Sequence, residues 1–184
     1  MANEPATTIT GNLTADPELR YTLAGHPALP RRVYLAARYS RRAELCGYRT
    51  DLAACGITVT SRWLNGSHQL DNSGIPITDD GERRFEAGDP AVDHLRAHFA
   101  AEDFIDVLAA DTVLAFTEPP RASASRGGRH VELGIALATG KHVVVIGPRE
   151  NVFCWLPQVE HHDTWHDYAT RAGLPARTPP PLAA

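Results

Sequence analysis

Thr112-Val113-Leu114-Ala115-Phe116 and His142-Val143-Val144-Val145-Ile146 are short apolar runs, rich in β-branched residues and too brief for buried helices. Between them lie a Gly- and Ser-rich loop from Glu118 to Gly128 and a helical pattern from about Arg129 to Thr139, stopped by Gly140. Strand, crossover helix, strand is the repeating unit of a parallel sheet. Neither run alternates with polar residues, so both faces of that sheet are expected to be covered.

The same grammar extends outward. Upstream, Val33-Tyr34-Leu35-Ala36-Ala37 reads as strand one, and Ser40 is placed to cap a helix running to about Cys55 and Gly56. Ile57-Thr58-Val59-Thr60 is strand two. A loop from about Asn65 to Asp89 follows, a length that in compact domains is functional or locally disordered. Pro90 opens a helix to Ala110, with Leu95, Phe99, Ile105 and Leu108 on its apolar side. Downstream, a turn or short helix at Asn151–Leu156 precedes a weak strand at Val159–His162, and Asp163 or Thr164 caps a last helix. Together these predict an α/β chain: a flavodoxin/Rossmann-like three-layer sandwich on a five-stranded parallel sheet of order 2-1-3-4-5. Ligands of such sheets sit at the carboxyl ends of the strands near the switch point between strands one and three. That nominates the loops after residues 37, 61, 116 and 147.

The ends of the chain differ from its middle. Residues 1–30 form a polar, turn-rich arm, residues 31–172 the folded domain, and residues 173–184 a Pro-rich tail. With 184 residues, 43% hydrophobic and 22% charged, the chain fits one soluble domain. A net charge of −4 supplies no global field for nucleic acid or anionic membranes, so any phosphate site must be local. Cys46, Cys55 and Cys154 are an odd set without tight spacing, against a disulfide framework or zinc site and in keeping with a reducing, cytoplasmic setting. The polar start has no signal-peptide core, and no apolar run approaches a membrane span.

The segment Ser123-Ala124-Ser125-Arg126-Gly127-Gly128-Arg129-His130-Val131-Glu132-Leu133-Gly134 carries the strongest chemical signal. A Gly-rich turn entering a helix offers backbone N–H groups to an anion, and Ser123, Ser125 and Arg126 add donors to Gly127 and Gly128. Glu132 is expected in the first helical turn, where the dipole favours the ionised carboxylate. Position alone leaves it either a solvated stabilising acid or a nucleophile.

Gly128-Arg129-His130-Val131-Glu132-Leu133-Gly134, followed by Gly140-Lys141-His142-Val143-Val144-Val145, resembles the signature of the nucleoside 2-deoxyribosyltransferase superfamily, which includes 2′-deoxynucleoside 5′-phosphate N-hydrolases and CMP hydrolases. The likeness continues in Val33–Ala37, Ala101-Glu102-Asp103 through Ala110-Asp111, and Gly147-Pro148-Arg149-Glu150-Asn151, spanning about residues 32–165. It implies an enzyme that cleaves the N-glycosidic bond of a (deoxy)nucleoside or its 5′-monophosphate and passes the sugar to water or another base. Glu132 would be the nucleophile, forming a glycosyl-enzyme ester. Asp103 would bind sugar or shuttle a proton to the leaving base, an exposed helical acid being the other reading. Asp106 is its near alternative, and Asp111 reads as a local cap. Tyr34 matches an aromatic near the ribose 2′ position, although a buried run equally suits a core residue. Arg38, Ser40 and Arg41 stand where nucleotide-cleaving relatives hold phosphate, although Arg41 and Arg42 equally read as solvated helix residues. The resemblance also implies a homodimer or higher oligomer, with Asn151 to Leu156 reaching a neighbour's site, and no cofactor. One departure stands out: transferases carry an acid about six residues before the glutamate, and here that place is Arg126 beside Ser125, which favours a nucleotide substrate.

Other signals are weaker. Trp63, Asn65 and His68 follow strand two, where an aromatic could stack on a base or only pack a lid. His161, His162 and His166 with Glu160 and Asp163 lack a metal-ligand spacing, so no metal is expected. Ile9 through Thr22 resembles the first strand and hairpin of a bacterial single-stranded-DNA-binding protein. That fragment is far short of the five strands of an OB-fold, so nucleic-acid binding is not expected from it. Two rival readings compete with the enzyme: a nucleotide-sensing module on the same fold, and a DNA-associated accessory protein.

Overall fold

A computed structural model describes residues 29–66, 93–119 and 127–174 of the chain, with side chains of the long central helix described from residue 97. The elements run β1 (Arg32–Ala36), α1 (Arg42–Ala54), β2 (Thr58–Val59), α2 (Asp93–Ala109), β3 (Thr112–Phe116), α3 (Gly128–Ala138), β4 (His142–Ile146), β5 (Val159–His162) and α4 (Trp165–Ala172). All strands are parallel, in the order β2-β1-β3-β4-β5. The expected three-layer α/β architecture and strand order are therefore present. The described elements run from Arg32 to Ala172, and most of the N-terminal arm and of the Pro-rich tail lies outside the described residues.

The sheet is built as its sequence demands. Val33–Ala36, Val113–Phe116 and Val143–Ile146 are buried on both faces, which is why their runs are continuous rather than alternating. The chain moves one way from β1 to β2 and the other way from β3 to β4. Right-handed crossovers therefore put α1 and α3 on opposite faces. Tyr48 of α1 stacks on Trp165 of α4 at 4.3 Å and on Phe116 at 5.4 Å, marking one layer. Helices α2 and α3 pack together as the other. Lys141 Nζ, just before β4, donates to the carbonyls of Leu108 and Ala110 at 2.8 and 2.7 Å and so closes the carboxyl end of α2.

Two local expectations change. Strand β2 holds only Thr58–Val59 of the four residues read as strand. The ladder continues through Thr60 N to Val33 O (2.8 Å), after which Ser61 Oγ accepts from Leu35 N at 2.6 Å and replaces a backbone partner. An edge strand can end this way because a side-chain hydroxyl satisfies its neighbour as well as a carbonyl does. Ser40 does not cap α1: it lies exposed in a single 3₁₀ turn over Tyr39–Arg41, and Arg41 occupies the N-cap. At the last helix Thr164 is the cap, accepting from Asp167 N at 3.1 Å. Among the described residues no helix is long and apolar enough to cross a membrane.

Candidate active site

The carboxyl ends of β1 and β3 and the start of α3 meet at the switch point of the sheet. Gly127, at φ +84°, is the N-cap of α3, a left-handed conformation that suits glycine. Because the helix starts at Gly128, Glu132 lies in its second turn, not the first. Tyr34 is fully buried, and its hydroxyl donates to Glu132 Oε1 at 2.8 Å. Tyr34 is thus a core residue by its ring, while its hydroxyl reaches the Glu132 carboxyl. Glu132 Oε2 is buried with no hydrogen-bond partner among the described residues.

This geometry reverses the expected electrostatics of Glu132. Burial pushes its carboxyl up to about 8, the charge of Asp103 pushes the same way, and the Tyr34 hydrogen bond and Arg129 only oppose them. Desolvation outweighs the helix dipole, whose effect fades within the first turn. Asp103, on α2, is raised to about 7 by burial, then by the charges of Asp106 and Glu102, against the opposing influence of Arg62. Tyr34 is pushed well above the ordinary phenol range by burial and by these same carboxylates. The two carboxyls are best treated as a pair that shares its protons near neutrality, with the Tyr34 hydroxyl still protonated there.

Asp106, the alternative to Asp103, is committed elsewhere: its carboxylate accepts from Arg62 N at 2.9 Å and from Arg62 Nε at 2.8 Å. Asp111 is not a local cap: it accepts from Arg32 N and Nη2, both at 3.1 Å and 79 residues away, and so clasps the start of β1. Trp63 is a core residue, 6% exposed, with Nε1 donating to Leu35 O at 3.0 Å and its ring 6.0 Å from that of Tyr39. It is buried as core rather than offered as an open face for a base.

A second cluster ties the loops together. Arg129, with its side chain 3% exposed, places Nη2 2.7 and 2.6 Å from the two oxygens of Glu150. Glu150 Oε1 also accepts from Glu118 N at 2.8 Å, and Glu118 Oε2 is 3.4 Å from Arg38 Nη1. Asn151 caps the turn at Val152–Trp155 by accepting from Phe153 N at 2.9 Å, and its amide lies 3.1 Å from His130 Nδ1. The exits of β1, β3 and β4 and the start of α3 are thereby cross-linked. Gly147 permits the close crossing: at φ +112°, a Cβ there would stand 2.8 Å from Thr117 Oγ1 and 2.9 Å from Thr117 O.

Glu132, Asp103 and Tyr34 are brought together, with Gly127 and Gly128 at the turn that delivers Glu132. Arg38 and Asn151 belong to the cross-linking network, and Ser40 sits on the exposed turn after β1. Arg41 is held by Glu44 at 2.8 and 2.7 Å and lies over the ring of Phe116. Ser123, Ser125, Arg126 and His68 lie outside the described residues. Sequence reasoning missed Arg62, Glu118, and the partnership of Arg129 with Glu150. Only the last had a local sign, an arginine at the Gly-Gly turn. Among the described residues no group of three or more His, Cys, Asp or Glu is arranged to hold a metal ion. Glu160 instead bonds His162 at 2.7 Å and His142 at 3.0 Å.

No protein-family model and no curated protein matches the chain. Among solved structures, a 2-deoxyribosyltransferase from the psychrotolerant bacterium Bacillus psychrosaccharolyticus is 17% identical, with 74% of this chain and 89% of that one covered at a TM-score of 0.53. A CMP N-glycosidase from Clostridium botulinum is 20% identical, with 78% and 99% covered at a TM-score of 0.45. Identity at this level speaks to the fold; the chemistry has to be argued from the site.

Proposed function

We propose that the chain cleaves the N-glycosidic bond of a nucleoside or its 5′-monophosphate, with Glu132 as nucleophile and Asp103 as proton donor. The observation that carries this reading is the enclosed Glu132 carboxyl, held by the Tyr34 hydroxyl and electrostatically coupled to Asp103. A carboxylate kept from water and oriented by one donor is poorly solvated and therefore reactive toward an electrophilic carbon.

The reactive form is the one-proton state of the pair with the proton on Asp103. Burial favours the other placement, on Glu132, and the Tyr34 hydrogen bond, together with an electrophilic carbon beside the carboxylate, works against that preference. Glu132 attacks the anomeric carbon and forms a C–O bond as the C–N bond breaks. The bonding pair passes to the base nitrogen, which takes the proton of Asp103. Water or the nitrogen of a second base then attacks the same carbon, the ester C–O bond breaks, and Asp103 takes up the proton released. Each cycle returns both carboxyls to their starting states.

A pure nucleotide sensor is disfavoured by the same geometry, since a binder that does no chemistry would gain little from an enclosed carboxyl that is costly to ionise. The preference for a monophosphate rests on the Ser125 and Arg126 pattern and on Arg38, whose one described partner is Glu118 at 3.4 Å. A homodimer is the proposed assembly. Val131, Val152, Phe153 and Trp155 are 60–73% exposed, an apolar surface of the kind a second copy would cover. The deciding experiment is incubation with a panel of nucleosides and 5′-monophosphates, with and without a second base, read by chromatography. Release of free base that depends on Glu132 supports the proposal; binding without release from any of them refutes it.

A further inference from the structure

The loop that leaves β4 grips the start of α3 at two consecutive positions. Glu150, with its side chain 10% exposed, holds its two carboxylate oxygens 2.7 and 2.6 Å from Arg129 Nη2. Asn151 follows, with its amide 3.1 Å from His130 Nδ1. The loop is itself anchored at its base. His161 Nε2 lies 2.7 Å from Gly147 O, Gly147 N donates to His162 O at 2.9 Å, and Glu150 Oε1 accepts from Glu118 N at the exit of β3. The Arg129 side chain has little else to fix it: Nε and Nη1 are buried without a hydrogen-bond partner among the described residues. A buried guanidinium bonded through one nitrogen depends for its place on the opposite charge of Glu150.

Arg129 and Glu132 are three residues apart on α3 and so share a face of the helix. A single helical turn moves as a unit, because its hydrogen bonds close over that span. Whatever fixes Arg129 and His130 therefore also fixes the distance from Glu132 to Tyr34 on β1, whose hydroxyl donates to it at 2.8 Å. A slide of the helix start by about 1 Å would cost that hydrogen bond most of its strength. We propose that Glu150 is a positioning residue for Glu132: through Arg129 it sets the start of α3 against the exits of β3 and β4, and so keeps the Glu132 carboxyl on the Tyr34 hydroxyl. Asn151 makes the second, uncharged half of the same grip through His130. The consequence for catalysis rests on the reading of Glu132 as nucleophile; the positioning itself does not.

The test measures coupling, which a merely structural role would leave untouched. Arg129→Met with Glu150→Gln removes the grip together with one charge of each sign. The Glu132 carboxyl is then titrated by carbon-13 NMR in four proteins: the native chain and that double variant, each with and without Tyr34→Phe. In the native chain Tyr34→Phe removes a bond that favours the charged form and should raise the titration of Glu132 by about one pH unit. In the double variant the same substitution should raise it by less than about 0.3 unit, because the two groups are no longer kept together. Asp103 acts on Glu132 in all four proteins, and the lost charge of Arg129 moves both members of its pair alike, so neither enters the comparison. If the double variant does not fold, Asn151→Leu breaks only the uncharged half of the grip and should reduce the effect of Tyr34→Phe to about half a unit. With a substrate in hand, the double variant should lose about tenfold or more in kcat with KM within about twofold of the native value. An equal effect of Tyr34→Phe with and without the grip would overturn the proposal, whatever happens to turnover. Lost coupling with an unchanged kcat would uphold the positioning and instead remove Glu132 from the reaction.

Discussion

Replacing Glu132 by Gln should make the protein more stable in alkali while abolishing its chemistry. The carboxyl is moved from an ordinary 4.5 to about 8 by burial and by Asp103. A displacement of that size corresponds to roughly 5 kcal/mol between protonated and ionised forms, of which relaxation of the surroundings should leave about 3 kcal/mol in unfolding experiments. The sign follows from linkage. A carboxyl raised in the folded state contributes stability that is complete below about pH 4.5 and lost as pH rises through about 8. Gln cannot ionise, and its Oε1 can still accept from the Tyr34 hydroxyl, so it retains the neutral-state packing. The assay is thermal unfolding of both proteins from pH 5 to pH 9.5. The two should unfold within a few degrees of each other at pH 5, and the Gln variant should lead by about 6–12 °C above pH 8.5. A gap that stays constant with pH, or one that widens in favour of wild type, would refute the claim that the carboxyl is enclosed and destabilised when charged.

Tyr34→Phe keeps the ring in the core but removes the donor to Glu132. It should move the acid limb of activity upward by about one pH unit and lower the maximal rate roughly tenfold to a hundredfold, read in a pH–rate profile. Arg129→Met alone leaves the buried Glu150 without its guanidinium, with only Glu118 N and the half-exposed His130 beside it, and should cost about 2–4 kcal/mol in denaturant unfolding. Arg129→Met with Glu150→Gln should recover much of that, and strict additivity of the two would contradict the buried pair. Deleting the arm so that the chain begins at Leu29 should leave turnover per folded domain largely unchanged. Collapse of turnover in a protein that remains folded, checked by size-exclusion mass and circular dichroism, would place the arm in the site.

Much of the architecture is legible in the sequence, for a physical reason. Strands buried on both faces read as unbroken Val/Ile/Leu runs, and β3, β4 and β5 have the bounds their residues suggest. Strand β2 is shorter because its neighbour takes a hydroxyl from Ser61, a substitution no propensity reveals. The site is legible where chemistry and chain position coincide, as at Glu132 and Asp103. It is not where long-range partners decide: Arg62 meets Asp106 across 44 residues, and Trp63 looks like a free aromatic until its indole is seen bonded to Leu35 O. The ionisation of Glu132 fails from local reasoning for a similar cause. A helix start suggests an ionised acid, but placement in the second turn weakens the dipole, and burial from three elements outweighs what remains.

In the proposed reaction Glu132 becomes covalently bonded to the sugar. The most direct test is mass spectrometry of the protein quenched in acid during turnover of the best substrate from the nucleoside and monophosphate panel, followed by peptide mapping. A nucleophilic Glu132 gives a protein heavier by one glycosyl group, with the adduct on the Glu132 carboxyl and absent from Glu132→Gln, which should also release no base. Full turnover in Glu132→Gln, or an adduct mapped to another residue, would contradict it.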